Sequence, residues 1–368
     1  MTKILLLLSF LLIFLNVSEA NEQRLKFLHL TFHRGCAKEI ESLAEELSFD
    51  VETWFIPDLP KGFFDEAANV NAIYNMGHER AERIWNQHKD YFLQFDGILT
   101  SDTAPLARIF LQNHFSKPLI VWICNRFDYS DQASLDCPFP DPEYYQLFNE
   151  AQALSNVTLI AYTAFEHHYA RSKGVETGDL VITPCAIPIE SEYSLISEIP
   201  ASIQKNAFFF LPPYHNETHF MNLKEHCKTL GISAYAGRYN GPFDLKDFKG
   251  IIHLPYAWSN LALFENMSLG IPYLIPSRQF LEELVKQGAY FFHPDPELFS
   301  EGVLELSEWY SGEHSPCIVY FNSWSDLQAK CSLIDFDRIR EEIKQHAMKN
   351  HERMIGRWKA VFAKYFKQ

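Results

Sequence analysis

The chain has 368 residues, enough for about two domains. Hydrophobic residues make up 47% of it and aromatics 15%, so a packed globular fold is expected rather than a disordered one. A formal net charge of −15, with no stripe of Lys or Arg, argues against a nucleic-acid partner.

Residues 1–20 read as a targeting segment, with Lys3 as the charged start, residues 4–15 as the apolar core and Ser18-Glu19-Ala20 as a cleavage site. Such a core is short for a membrane span. A signal peptide is therefore the first reading and an uncleaved N-terminal anchor the second. No later stretch is long and apolar enough to span, so the expectation is an exported chain in a secretory lumen, in a periplasm or outside the cell. Seven cysteines are too few for a disulfide scaffold, and the odd count leaves at least one thiol free or intermolecular. Cys124 and Cys137 flank one loop and could pair. There is no Cys-x-x-Cys and no His-Glu-x-x-His, and no metal site is expected.

Residues 25–32 are an apolar run that predicts a first strand. The tight loop His33-Arg34-Gly35-Cys36 follows, and residues 37–47 place Ile40, Leu43, Ala44 and Leu47 on one helical face. Rossmann-like domains begin this way, although the Gly-x-Gly-x-x-Gly fingerprint is absent. A strand over 49–56, a helix over 71–92, a strand over 97–102, a helix over 105–113 and a strand over 118–124 come next. The last two strands deliver Ser101, Asp102, Asn125, Arg126 and Asp128 to one carboxyl edge, where open α/β enzymes place their chemistry. Asp102 and Asp128 could instead cap helices or turns, and Arg126 could be the structural partner of Asp128. A helix over 143–154, a strand over 157–162, a helix over 165–172 and a strand over 180–184 complete this half. Glu166-His167-His168 has the look of a ligand cluster, but neighbouring histidines point to different helix faces, so a solvated face is expected. The irregular stretch 187–200, with Pro188 and Pro200, marks a domain boundary.

The second half opens with a strand over 207–211, a loop over 212–216, a helix over 223–230 and a strand over 233–238. Residues 250–254 predict a buried strand that Pro255 stops. Ser259 and Asn260 are N-cap candidates for a helix carried by Leu261, Phe264, Met267 and Ser268, and Gly270 falls where a left-handed C-cap belongs. A strand over 271–275 follows. The loop between strand and helix, with Tyr256, Ser259 and Asn260, lies where such sheets bind ligands. Amide N–H groups at the helix start favour an anion such as a diphosphate. Glu265 sits among apolar neighbours and needs partners, which sugar hydroxyls could supply. A helix over 280–287, a strand over 289–293, a helix over 299–310 and a long helical region over 335–367 end the chain. Asp335-Phe336-Asp337 has the form of a metal-binding Asp-x-Asp, but its place just before a helix makes an N-cap the better reading.

The segment Phe264-Glu265-Asn266-Met267-Ser268-Leu269-Gly270-Ile271-Pro272 resembles the donor-binding helix Leu-Glu-Ala-Met-Ala-x-Gly-x-Pro of GT-B glycosyltransferases. The resemblance implies an α/β fold of two Rossmann-like domains with a cleft between them. The first (acceptor) domain would span 21–195 and the second (donor) domain 196–345. A terminal helix over 346–368 would cross back to the first domain, a contact that Trp358, Phe362 and Tyr365 could make. It further implies transfer of a sugar from a nucleotide-sugar donor to an acceptor hydroxyl, without a metal and without any cofactor besides the donor as substrate. Glu265 inherits the contact to the ribose. Many retaining members carry another Glu eight residues earlier, where this chain has Ala257, so the retaining mechanism and the donor sugar stay open. If configuration inverts, the acceptor hydroxyl needs a base. Asp102, Asp128 and His33 are the candidates, with Asp102 first because Arg126 lies close to Asp128 in sequence. Arg238 and the amides at Ser259-Asn260 are candidates for meeting the leaving diphosphate. The rival reading is an exported two-domain solute-binding protein, which accounts for the targeting segment but not for the Glu265–Pro272 pattern or the terminal helix. A non-catalytic sugar-binding relative is a third.

Overall fold

The computed structural model describes residues 24–64, 76–128, 141–193, 199, 207–211, 222–289, 291 and 302–366. The expected targeting segment, Cys137 and the loop over 212–216 lie outside these residues, as do parts of the expected elements over 71–92, 289–293 and 299–310.

Five parallel strands form the first sheet: β1 (Lys26–Thr31), β2 (Asp50–Phe55), β3 (Gly97–Thr100), β4 (Leu119–Ile123) and β5 (Val157–Ala161), in the order β2-β1-β3-β4-β5. The helices between them are α1 (Arg34–Leu47), α2 (His78–Phe92), the short α3 (Arg108–Leu111) and α4 (Pro142–Ala151), and α5 (Ala164–Ser172) follows β5. Strands β3 and β4 are buried along their whole length, as parallel strands covered on both faces must be.

The second sheet holds β6 (Phe208–Phe210), β7 (Ala234–Ala236), β8 (Ile251–Ile252), β9 (Tyr273–Pro276) and β10 (Ile318–Phe321), in the order β10-β9-β8-β6-β7. Its helices are α6 (Leu223–Thr229), α7 (Leu261–Ser268), α8 (Arg278–Lys286) and α9 (Trp324–Leu333). Taken from its second strand, this sheet repeats the 2-1-3-4-5 order of the first. Each half therefore has a switch point, between β1 and β3 and between β6 and β8, with a crevice at the carboxyl ends. The fold is α/β, with two Rossmann-like halves in a GT-B-like arrangement.

The last helix, α10 (Phe336–Tyr365), joins the halves. Its thirty residues span about 45 Å at about 1.5 Å each. Asp335 caps it by accepting from the Arg338 N–H at 3.2 Å, so the Asp-x-Asp is a helix start. Near that end Phe336 packs on Phe208 of the second sheet, ring centres 5.3 Å apart. Toward the other end Trp358 meets Trp122 of β4 edge-on at 6.0 Å, and Phe362 meets Phe27 of β1 at 5.3 Å. Lys364 donates to the Val157 carbonyl and Tyr365 shares a hydrogen bond with Thr158. Gly97 makes room for the Phe27 ring, since a Cβ there would stand 2.4 Å from it.

Some expectations need correction. Residues 180–184 form no strand; Val181 makes a single bridge to Ala161. Within 302–310 there is only the 3-10 turn Leu304–Leu306 in place of a helix. Residues 104–107 are a 3-10 turn, with Pro105 in its first turn, that leads into the four-residue α3 in place of one longer helix. Neither β10 nor α9 was expected. Among the described residues no helix is long and apolar enough to cross a membrane.

Replacing Trp358, which is fully buried, with Ala should cost about 3–5 kcal/mol in urea unfolding. A loss under about 1 kcal/mol would show that the terminal helix is not part of the core.

Candidate functional site

The two carboxyl edges face each other across a cleft of about 660 Å³. The first half contributes His33, Gly35, Cys36, Lys38, Asp102, Cys124 and Asn125, and the second contributes Tyr239, Tyr256, Ala257, Ser259, Asn260, Leu261 and Glu265. His33 and Asp102 follow β1 and β3 and so stand at the first switch point.

His33 caps α1, its Nδ1 accepting from the Gly35 N–H at 3.1 Å, while its own N–H donates to Thr31 Oγ1 at 3.2 Å. Two influences oppose each other on this ring. The ring is exposed at the cleft wall; partial desolvation there lowers its pKa, but the Cys36 thiol, Asp102 and Glu265 outweigh it and raise it to about 9. The cap acts against protonation, because a ring that accepts at Nδ1 must be neutral and a helix start repels a cation. While the cap is made, the proton sits on Nε2. Gly35 lets the starts of α1 and α7 meet: a Cβ there would be 3.0 Å from both the His33 ring and the Leu261 side chain.

Asp102 is buried and adopts φ +69°, a left-handed conformation uncommon outside glycine. Asn125 holds it twice, with Nδ2 donating to Oδ1 at 2.8 Å and the backbone N–H donating to the Asp102 carbonyl at 3.1 Å. Oδ2 has no hydrogen-bond partner among the described residues. Burial raises the carboxyl pKa to about 6, against the pull of His33 and Asn125. Across the cleft, half-buried Glu265 on α7 has no hydrogen-bond partner for its carboxylate among the described residues. Burial raises its pKa, with His33 and Lys38 opposing.

The loop before α7 is already bonded to the protein. Asn260 caps the helix through Oδ1 to the Ala262 N–H at 2.9 Å, and its Nδ2 donates to Tyr256 Oη at 3.2 Å. The Asn260 N–H donates to Glu308 at 2.5 Å. The amide expected to meet a diphosphate is thus occupied by a buried carboxylate. Ser259 Oγ donates to the Cys124 carbonyl at 3.2 Å, bridging the halves. Trp309 Nε1 donates to the Ala257 carbonyl at 3.1 Å.

Two expected site residues lie elsewhere. Asp128 does not line the cleft; it accepts from Tyr145 Oη at 2.6 Å. Its supposed partner Arg126 pairs with Glu166 instead, at 3.5 Å. Arg238 is exposed and also outside the lining. Glu166 and His167 are buried, so the solvated face expected for this cluster is wrong. His167 bonds Thr177 Oγ1 and the Leu180 carbonyl. Next to them, Phe165 of the first half stacks on Trp258 of the second, ring centres 3.4 Å apart and 9° from parallel. Cys36, Lys38 and Glu308 were missed. Lys38 carried a signal, one turn into the helix after the first loop, and its ammonium lies 3.7 Å over the Tyr193 ring. Glu308 carried none.

No protein-family model and no curated protein matches the chain. Solved structures do. One is the UDP-GlcNAc 2-epimerase from Neisseria meningitidis bound to UDP-GlcNAc, with TM-score 0.50 and 11% identity over 94% of this chain and 100% of that one. Another, from Listeria monocytogenes and described as a UDP-N-acetylglucosamine 2-epimerase, gives TM-score 0.51 and 11% identity over 94% and 97%. A UGT transferase from Siraitia grosvenorii in complex with UDP gives TM-score 0.48 and 10% identity over 93% and 100%. At such identities the first two likenesses show the fold, and the chain resembles GT-B-fold enzymes in architecture.

Trp258→Ala should destabilise the chain by about 3–5 kcal/mol, and Trp258→Phe, which keeps a ring on Phe165, by clearly less. Equal losses in denaturant titration would mean that the stack does not join the halves.

Proposed function

We propose that the chain binds a nucleoside-diphosphate sugar in this cleft and transfers the sugar to an acceptor hydroxyl, with Asp102 as general base. The observation that carries the reading is that Asp102 and Glu265, carboxylates with bonding capacity to spare, face one cleft from opposite switch points. The first half, over 21–195, takes the acceptor, and the second, over 196–345, the donor. Glu265 takes the ribose hydroxyls, which fit a half-buried acceptor group. Asp102 Oδ2 takes the acceptor proton. A carboxyl near 6 is mostly ionised at neutral pH yet more basic than an ordinary aspartate, which suits proton abstraction. Lys38 is the cleft cation offered to the diphosphate, in place of Arg238 and of the Asn260 amide, because Arg34, which also lines the cleft, is paired with Asp58. We include metal independence in this reading because Lys38 can supply that positive charge. His33, with its proton on Nε2, donates to substrate rather than abstracting. UDP-GlcNAc, bound in a solved structure of like fold, is the first ligand to try. From residues 1–20 we place the chain in an exported compartment, of which a secretory lumen supplies nucleotide sugars.

A second reading is favoured by one fact: the two structures at TM-score 0.50 and 0.51 carry the name of UDP-GlcNAc 2-epimerase. An epimerase needs no acceptor. Incubation with UDP-GlcNAc separates the two, since transfer releases UDP and epimerisation inverts a sugar carbon with UDP attached.

Glu265→Gln should weaken UDP-sugar binding about tenfold or more in calorimetry, because a hydrogen bond to a charged group is worth about 1.5–3 kcal/mol. Unchanged affinity with the fold intact would reduce Glu265 to a helix residue.

Asp102→Asn should cut turnover about 100-fold while leaving donor affinity alone. The base acts unprotonated, so wild-type turnover should fall as pH drops through about 6, and that limb should vanish in the variant. Near-full activity of Asp102→Asn would move the base elsewhere or point to retention of configuration.

A further inference from the structure

The floor of the cleft carries two buried sulfurs that the proposed chemistry does not use. Cys36 lies in the first turn of α1 and Cys124 directly follows β4. They are 88 residues apart in sequence, and β3 lies between β1 and β4 in the sheet, yet the Sγ atoms stand 3.9 Å apart. We propose that Cys36 and Cys124 are an oxidisable dithiol, closed to a disulfide by hydrogen peroxide that enters the cleft.

A disulfide needs an S–S distance of roughly 2.0 Å, within reach of side-chain rotation from such a contact. The surroundings favour reaction at Cys36. Its thiol sits in the first turn of a helix, whose positive start stabilises a thiolate, and the neighbouring His33 ring acts the same way through a hydrogen bond. The hydrogen bond with Cys124 acts first in the same direction, burial acts against it, and the thiol is lowered to about 7. Burial pushes the Cys124 thiol up. One sulfur is thus the nucleophile and the other resolves. Both line the cleft but are nearly covered, Cys36 1% and Cys124 6% exposed, which admits a peroxide and hinders bulky reagents.

The Cys36 thiolate attacks one peroxide oxygen and the O–O bond breaks. The departing hydroxide takes a proton and leaves as water, and Cys36 becomes a sulfenic acid. The Cys124 sulfur then attacks the Cys36 sulfur, breaking the S–O bond, and the hydroxyl leaves with the Cys124 proton as a second water. Two thiols lose two electrons and one peroxide is reduced to two waters. The bond would remove the thiol beside His33 and tie the start of α1 to the residue whose carbonyl receives Ser259 from the other half. The inference stands apart from the nucleotide-sugar reading, because its readout is a covalent bond.

The full chain, reduced and then treated with hydrogen peroxide, would be alkylated, digested and read by mass spectrometry. The expected product is a peptide pair joined through Cys36 and Cys124, reversed by dithiothreitol. In Cys124→Ser, Cys36 should form a dimedone adduct; in Cys36→Ser, Cys124 should stay reduced. Absence of the joined pair in the unsubstituted chain, at peroxide doses that oxidise the half-buried Cys331, overturns the proposal. So does equal oxidation of Cys124 with and without Cys36.

Discussion

The thirty residues of α10 are shared between two sheets, and the position of every cleft residue depends on that sharing. One continuous apolar cluster includes Phe27, Leu99 and Trp122 from the first sheet, Phe209, Ile251 and Tyr273 from the second, and Ile343, Met354 and Trp358 from α10. A helix buried at both ends sets the distance and angle between the sheets it crosses. Two further contacts keep that setting at the cleft, the Phe165–Trp258 stack and the Ser259 hydrogen bond to Cys124. Together they bring two switch points, each built by its own strand order, to face one another. A close meeting of helix starts also explains why position 35 is glycine.

The chain is acidic, and several of its carboxylates are buried around this region without a full complement of partners. Their partners separate structure from chemistry. Glu39 accepts from the Cys185 and Ala186 amides and fixes the chain after β5. Glu308 accepts from the Asn260 amide and fixes the loop before α7. Glu166 lies against Arg126 beneath the aromatic stack. A buried carboxylate without a partner is costly; amide hydrogen bonds offset that cost for Glu39 and Glu308, and for Glu166 the Arg126 charge does so without a hydrogen bond. Asp102 and Glu265 differ: each opens on the cleft with oxygens that the protein leaves to solvent or substrate. The strained backbone of Asp102 fits the same division, since strain of this kind persists where surrounding bonds hold it, and here Asn125 holds it from both side chain and backbone.

Much of the architecture was legible in the residues alone. Apolar runs of five or six residues marked β1, β4 and β5, and the spacing of Ile40, Leu43 and Ala44 marked α1, because burial of one face leaves its period in the sequence. The N-caps Asn260 and Asp335 were legible too, since a cap bonds residues two or three places on. Glu265 was placed on its helix by the motif around it. The pairing of distant residues was not legible. That the Asn260 amide is taken by Glu308, that Arg126 turns to Glu166 rather than Asp128, that Glu166 and His167 are covered, and that Cys36 touches Cys124 all depend on how finished elements dock. The physical reason is range: a helix or strand is decided by neighbours within a few residues, and those neighbours are written beside it. A contact across 48 or 88 residues is decided by the packing of both sheets and α10 at once, and only the tertiary structure holds that information.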